Sequence, residues 1–296
     1  MHLGETYVLA GTDGSPQAGH AVEWAAIEAV RRDQPLRIVH GFIWPLLHVS
    51  TAPVPGIERS GLRAAAEDVL LAAEARARAA APGVRVSSAL VVGGPVPALL
   101  AEAGGAGLLV VGSRRLDPVT GLIVGSVGVE LAATAPCPLV VVTDVADARQ
   151  SPPAVVAGID GFDSEHGPAQ AAAILDFAFD AAERRHARLI VVHCTGGHGS
   201  AGAEEAAVWS AVDEWSDKHP AVDVESITEP ATPATALLTH AAGADLLVLG
   251  AHGWGGLAGI LHHSVSRRAF WRAPCPVAIV RAPDPTGDHV IRRRQS

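Results

Sequence analysis

Two aspartates stand at the end of apolar segments, one in each half of the sequence. Asp13 follows residues 7–12 and Asp160 follows residues 155–159, and a glycine comes directly after each aspartate. A carboxylate in that place can accept a hydrogen bond from an exocyclic amine or a ribose hydroxyl, and the glycine lets the backbone approach a ligand. Aspartate is also a common helix N-cap, so the sequence leaves two roles open, ligand binding and helix capping.

A glycine-rich segment follows a second apolar run in each half. These segments span residues 112–126 and 250–264, and the first ends in Gly125 and Ser126 at the start of a predicted helix. The backbone N–H groups of such a loop, and those at the start of a helix, favour an anion. A carboxylate on one side and this loop on the other would suit the base and ribose of a nucleotide at one end and its phosphates at the other.

The sequence lacks the motifs of several common enzyme classes. Lys218 is the sole lysine, which excludes a G-x-x-x-x-G-K-[ST] phosphate loop and a Schiff-base site, and neither a G-x-S-x-G elbow nor an H-E-x-x-H helix occurs. Although His252, His262 and His263 lie close together, no cysteine or carboxylate completes a ligand set. We therefore predict no catalytic residues and no metal site.

Composition and charge narrow the class of protein further. The 296 residues carry 22 Lys and Arg against 31 Asp and Glu, and this acidic balance does not suit a nucleic-acid or anionic-membrane partner. No apolar run approaches the roughly 18 residues of a membrane span, and no cationic leader precedes one. Three cysteines are a sparse set that suits a reducing compartment. We expect a cytoplasmic protein.

The chain is a duplication of one unit. Four motifs recur in the same order in both halves, beginning with the aspartate segments described above. The other three are V-H at 39–40 and 192–193, L-L-V-[VL]-G at 108–112 and 246–250, and A-P-C-P at 135–138 and 273–276. A polar segment with two prolines, residues 143–153, is the predicted linker. We therefore predict two domains, 1–146 and 147–296.

Each copy alternates short apolar strands with helices. This alternation predicts an α/β protein of two tandem doubly wound, five-stranded parallel sheets with the strand order 3-2-1-4-5. In that order strands one and four are neighbours, and a crevice opens at their carboxyl ends between the aspartate and the glycine-rich loop. The last strands, 138–142 and 276–280, are apolar edges. We expect the two domains to pair through them within the chain, and two chains to form a homodimer.

The repeated unit resembles the universal stress protein family in its tandem, two-domain form, as found in actinobacteria. The resemblance rests on a first strand ending in Asp, a second ending in Val-His, the pattern G-x-x-G-x9-G-[ST] before a helix, and A-P-C-P before the last strand. It covers nearly the whole chain twice. It implies a Rossmann-like, adenine nucleotide alpha hydrolase-like fold that binds ATP, with Mg²⁺ possible at the phosphates.

The resemblance also implies which residues bind ATP. Asp13 and Asp160 would contact the adenine end, Gly41 and Cys194 would contact adenine through their backbone, and the glycine-rich loops would hold ribose and phosphates. The candidate ATP-binding residues are Asp13, Gly41, Gly112, Arg115, Gly125, Ser126, Asp160, Cys194, Gly250, Gly253 and Ser264.

Both copies depart from the family pattern. Arg115 replaces the second glycine of the first copy, and its guanidinium can reach a phosphate instead. His263 replaces the third glycine of the second copy, where a Cβ would intrude on a phosphate. We therefore expect the first half to bind nucleotide better than the second.

The function that this implies is a stress-response regulator that binds ATP without efficient turnover. Two alternatives remain open at this stage. One is an interaction module of the same family with empty sites, and the other is an ATP-using enzyme on a related α/β fold.

Overall fold

Strands and helices alternate along the chain in a computed structural model that describes residues 5–42, 61–113, 126–143, 152–159, 167–195, 201–251, 270 and 272–282. The first half comprises β1 Tyr7–Gly11, α1 Pro16–Arg31, β2 Leu36–Phe42, α2 Gly61–Ala80, β3 Val86–Val92, α3 Pro95–Ala103, β4 Ala106–Ser113, α4 Ser126–Thr134 and β5 Leu139–Thr143. The second half comprises β6 Ala154–Ile159, α5 Gly167–Arg185, β7 Arg188–Cys194, α6 Ala201–Lys218, β8 Val224–Glu229, α7 Pro233–His240, β9 Leu246–Gly250 and β10 Val277–Val280.

The strands form one ten-stranded sheet in the order β3-β2-β1-β4-β5-β10-β9-β6-β7-β8. Within each half the strands are parallel, and the predicted order 3-2-1-4-5 is confirmed twice. The sheets are continuous rather than separate because β5 and β10 pair in antiparallel fashion, with Val140 opposite Ala278. The predicted domain boundary at 146 and 147 lies outside the described residues, and the homodimer stays a prediction.

Helices cover both faces of the sheet. On one face α1, α2, α5 and α6 pack over a single apolar cluster that runs through both halves, and on the other α3, α4 and α7 do the same. A strand buried on both faces needs apolar side chains at every position, which explains the continuous apolar runs of the sequence. Leu9, Leu109, Leu189 and Leu247 are completely buried in these strands. The core is therefore aliphatic, as the low aromatic content predicts.

The first turn of α1 lies directly against the end of β4. A Cβ built on Gly112 would stand 2.9 Å from the backbone nitrogen of Ala18 and closer still to the carbonyl group of Gln17. The obstacle is backbone rather than a flexible side chain, so it cannot swing away. Gly112 is therefore required for the close packing of α1 on β4, in addition to any role toward a ligand.

We predict that Gly112→Ala destabilises the chain by about 1–3 kcal/mol, because the added methyl group forces α1 away from the sheet. Gly104→Ala is the matched control, since a Cβ there meets nothing within 4 Å and the backbone at Gly104 is right-handed helical, with φ −63°. The control should be neutral or slightly stabilising. Urea unfolding of the two variants measures the difference, and equal losses would contradict the close-packing argument.

Candidate functional site

A pocket of about 320 Å³ opens at the carboxyl ends of β1 and β4. This is the crevice that the strand order predicts. Its lining residues are Gly11, Thr12, Asp13, Ser15, Gln17, Ala18, Val39, Gly41, Pro95, Leu99, Val111, Gly112, Ser113 and Val127. Three candidates from the sequence, Asp13, Gly41 and Gly112, thus come together from three different segments of the chain.

The loop after β1 sets the position of the Asp13 carboxylate. Oδ1 of Asp13 accepts a hydrogen bond from the backbone N–H of Ser15 at 2.9 Å, and Gly14 between them has a φ of +80°. Ser15 is the N-cap of α1, since its hydroxyl oxygen accepts from the N–H of Ala18 at 3.3 Å. The capping role that the sequence left open for Asp13 therefore belongs to Ser15, and the Asp13 side chain is exposed at the rim of the pocket.

The histidines of the two V-H motifs fasten the end of the second strand to the end of the first. Nδ1 of His40 donates to the carbonyl oxygen of Thr12 at 2.7 Å, and Nδ1 of His193 donates to that of Ile159 at 3.2 Å. Because a carbonyl oxygen only accepts, both imidazoles carry hydrogen on Nδ1. The motif itself was visible in the sequence, but this bond was not, because it depends on the lateral pairing of the strands.

Gly41 lies beside the start of α3. A Cβ built on Gly41 would stand 3.0 Å from Cα of Pro95 and 3.2 Å from its nitrogen. Without a side chain, the backbone of β2 and the first residue of α3 approach closely and both line the pocket. The apolar floor next to them comes from the buried residues Val39, Leu99 and Val111.

Three helices begin at this pocket. Gln17 lies in the first turn of α1, Pro95 is the first residue of α3, and Val127 is the second residue of α4, and all three line the cavity. The amino-terminal end of a helix carries partial positive charge and N–H groups without helical partners. The pocket therefore combines an apolar floor, one carboxylate at its rim and three helix ends that favour an anion.

In the described part of the second half, one of the side chains placed differently from the first crevice is Gln170. Gln170, which occupies the position of Gln17, is buried and lies 3.1 Å from where a Cβ of Gly250 would stand. Its Nε2 donates to the carbonyl oxygen of Val280 at 2.9 Å, and its Oε1 accepts from the N–H of Ala282 at 3.2 Å. The amide of Gln170 thus fixes the end of β10. Cys194 ends β7 with a half-buried side chain.

Most of the other candidate residues lie outside the described part of the chain. Ser126 begins α4, which is all that is described for it. The remaining five candidates, and His263, lie outside the described residues, and the candidates are Arg115, Gly125, Asp160, Gly253 and Ser264. Conversely, four polar residues of the pocket were not among the candidates, although each adjoins or closely follows one in sequence, and these are Thr12, Ser15, Gln17 and Ser113.

Two of the cysteines are packing residues. Burial raises the pKa of the Cys137 thiol to about 11 and that of Cys275 to about 12. Both thiols are protonated at neutral pH, so neither is an activated nucleophile. Among the described residues, no group of three or more His, Cys, Asp or Glu is placed to hold a metal ion. No described helix combines the length and apolar composition that crossing a bilayer requires.

Comparisons with known proteins agree with the repeat. A family model described as the universal stress protein family matches residues 6–143 and again residues 154–281. Universal stress proteins of Mycobacterium bovis and Mycobacterium tuberculosis are 32% identical to this chain over 294 residues, which cover 93% of this chain and 96% of theirs.

A solved structure supports the same fold. The crystal structure of a universal stress protein from Archaeoglobus fulgidus superimposes with a TM-score of 0.69 at 17% identity, covering 95% of this chain and all of that one. The two matches of the family model, together with relatives similar over their full length, show that the chain belongs to the universal stress protein family.

Proposed function

We propose that this chain is a stress-response regulator that binds an adenine nucleotide, ATP in particular, in the pocket of its first half and holds it without efficient turnover. The observation that carries the proposal is the convergence of Asp13, Gly41 and Gly112 on one pocket at the carboxyl ends of β1 and β4. In open α/β sheets this switch point of the strand order is where ligands bind.

Each part of the pocket suits one part of the nucleotide. The apolar floor of Val39, Leu99 and Val111 suits the flat face of a base, and the exposed carboxylate of Asp13 suits an exocyclic amine or a ribose hydroxyl. The starts of α1, α3 and α4 suit phosphates. A volume of about 320 Å³ accommodates the nucleoside part, at the small end of ordinary ligand pockets, so the phosphates would extend beyond the described lining.

The family resemblance assigns the rest of the proposed sites. In the first half Arg115, Gly125 and Ser126 would hold the phosphates, and a Mg²⁺ ion would be bound mainly through those phosphates. In the second half the proposed residues are Asp160, Cys194, Gly250, Gly253 and Ser264.

The lining of the described pocket favours retention over hydrolysis. Asp13 is the one titratable side chain among the described lining residues. General acid-base catalysis needs a second positioned group to donate or accept a proton, or a residue that orients the attacking water. A single carboxylate at the rim supplies a hydrogen-bond acceptor for the ligand but not this second group.

We predict that Asp13→Ala weakens the binding of adenine nucleotide by about tenfold or more, because a charge-assisted hydrogen bond is lost. Calorimetric titration of the full chain with ATP, ADP and AMP, with and without magnesium, measures the change. Glu67→Ala, which removes an exposed carboxylate of α2, is the control and should leave the affinity unchanged. Asp160→Ala reports on the second half in the same titration.

Two results would contradict the proposal. One is an affinity that does not change in Asp13→Ala. The other is the absence of adenine nucleotide in mass spectra of the denatured protein together with no heat of binding in the titration, which would favour an interaction module with empty sites.

We also predict that purified chain saturated with ATP and magnesium turns over more slowly than about 1 s⁻¹, the low end of ordinary enzymes. Release of phosphate and ADP under steady-state conditions measures this rate. Faster turnover that is lost in Asp13→Ala would identify the chain as an ATP-using enzyme.

A further inference from the structure

The two halves share a buried ionic cluster. Glu28 of α1 is completely buried, and its two carboxylate oxygens accept from different halves of the chain. Oε1 accepts from Nε of Arg32 at 2.7 Å, in the same half, and Oε2 accepts from Nη2 of Arg185 at 2.6 Å, across the boundary between the halves. The Arg185 side chain is only 2% exposed.

The two arginines occupy equivalent positions of the repeat. Arg32 follows the last residue of α1 and Arg185 is the last residue of α5, and each is the second arginine of an Arg-Arg pair. Each guanidinium also lies over an aromatic ring of the opposite half. Arg32 is 5.3 Å from the ring centre of Phe177, and Arg185 is 5.6 Å from that of Trp24. The repeat therefore supplies a matched pair of cations.

The carboxylate has no such match. The second-half residue at the position of Glu28 is Ala181, whose carbonyl oxygen accepts from Nη1 of Arg185 at 3.0 Å. Asp180, the neighbouring acid of α5, is 3.6 Å from Nη2 of Arg32 but is 33% exposed and pairs with Arg184 at 2.7 Å. Hence one completely buried carboxylate serves the buried Arg185 and the nearly buried Arg32, with the more exposed Arg31 at 3.9 Å from Oε2.

We propose that Glu28 is the residue that makes the second half pair with a first half rather than with another second half. A first half fits a second half because one Glu28 then lies between the two arginines. A pair of second halves would bury two copies of Arg185 with Ala181 at both carboxylate positions.

The physical basis is the cost of burying charge without a partner. Removing one member of a buried ion pair leaves an uncompensated charge and is strongly destabilising. Like charges in one buried site repel each other as well. Glu28 therefore stabilises the pairing seen within the chain, whereas a pair of second halves would lack this anion. The Glu28 cluster contains no residue of the proposed nucleotide pocket.

A transfer of the carboxylate across the repeat tests the proposal in the full chain. Glu28→Ala should lower the thermal unfolding midpoint by about 5–10 °C, because two guanidinium groups remain buried around a missing anion. Adding Ala181→Glu to that variant places a carboxylate at the equivalent position between the same arginines, and should restore at least half of the loss.

Two control variants separate the effect of the carboxylate charge from the effect of side-chain volume. Ala181→Gln in the Glu28→Ala background supplies similar volume without charge and should restore little. Glu67→Ala removes one member of an exposed ion pair, whose side chains are 68% and 44% exposed, and should not shift the midpoint measurably. Equal rescue by the glutamine, or no loss in Glu28→Ala, overturns the proposal.

A disulfide formed at the β5 or β10 position of the sheet junction reports which halves are paired. Val140 and Ala278 face each other between β5 and β10 and are equivalent positions of the repeat, so like pairing would bring two copies of the same position together. Ala278→Cys, which reports on pairs of second halves, should give no more disulfide-linked chain dimer after refolding at high protein concentration than the parent chain with its native cysteines. Adding Glu28→Ala should raise the dimer yield at least threefold. Abundant dimer in the presence of Glu28, or no rise in its absence, overturns the specificity.

Discussion

The antiparallel pairing of β5 with β10 is the contact on which the rest of the architecture depends. Three residue pairs join the halves there, centred on Val140 and Ala278. Each last strand would otherwise be an exposed apolar edge, and pairing satisfies both edges at once. Because β5 and β10 are antiparallel, the strands of the two halves run in opposite directions. The carboxyl ends of the first-half strands therefore lie beside the amino ends of the second-half strands. The two crevices thus open at opposite ends of the strands, whereas α1 and α5 are joined by the hydrogen bond between Glu28 and Arg185.

The first crevice follows from chain direction and from missing side chains. Right-handed crossovers place α1 and α4 on opposite faces after neighbouring strands, which opens the gap between β1 and β4. Gly112 then lets α1 pack against the end of β4, and Gly41 lets α3 begin beside β2. With glycine at these two positions, the first turns of α1, α3 and α4 all line one cavity. The structural requirement for these glycines and their proposed role toward a ligand are thus one geometric fact, because backbone that is close to backbone is also exposed to the pocket.

Much of the fold and of the first crevice was predictable from the sequence, because it depends on local patterns that occur in both halves. Strand order, the crevice, and the approach of Asp13 and Gly112 follow from apolar periodicity and topology, whereas Gly41 was expected there only from the family resemblance. Contacts between segments distant in the chain were not predictable. Ser15 before Pro16 is itself a candidate N-cap in the sequence and is confirmed as the cap of α1, whereas the sequence does not reveal that His40 donates to the carbonyl group of Thr12. Glu28 lies on the apolar face of α1, seven residues after Ala21 and three after Ala25, and the sequence does not show that its partner there is Arg185 of α5.

Duplication allows equivalent residues to do different work. Gln17 lines the first pocket, whereas Gln170, at the same position of the second half, is buried and bonded through both ends of its amide to the end of β10. Since β10 is the strand that pairs with β5, Gln170 supports the junction on which both halves depend. A glutamine held by two backbone groups cannot turn toward a ligand without breaking those bonds. This asymmetry is one physical reason to expect ligand binding to concentrate in the first half, independent of the changes at Arg115 and His263.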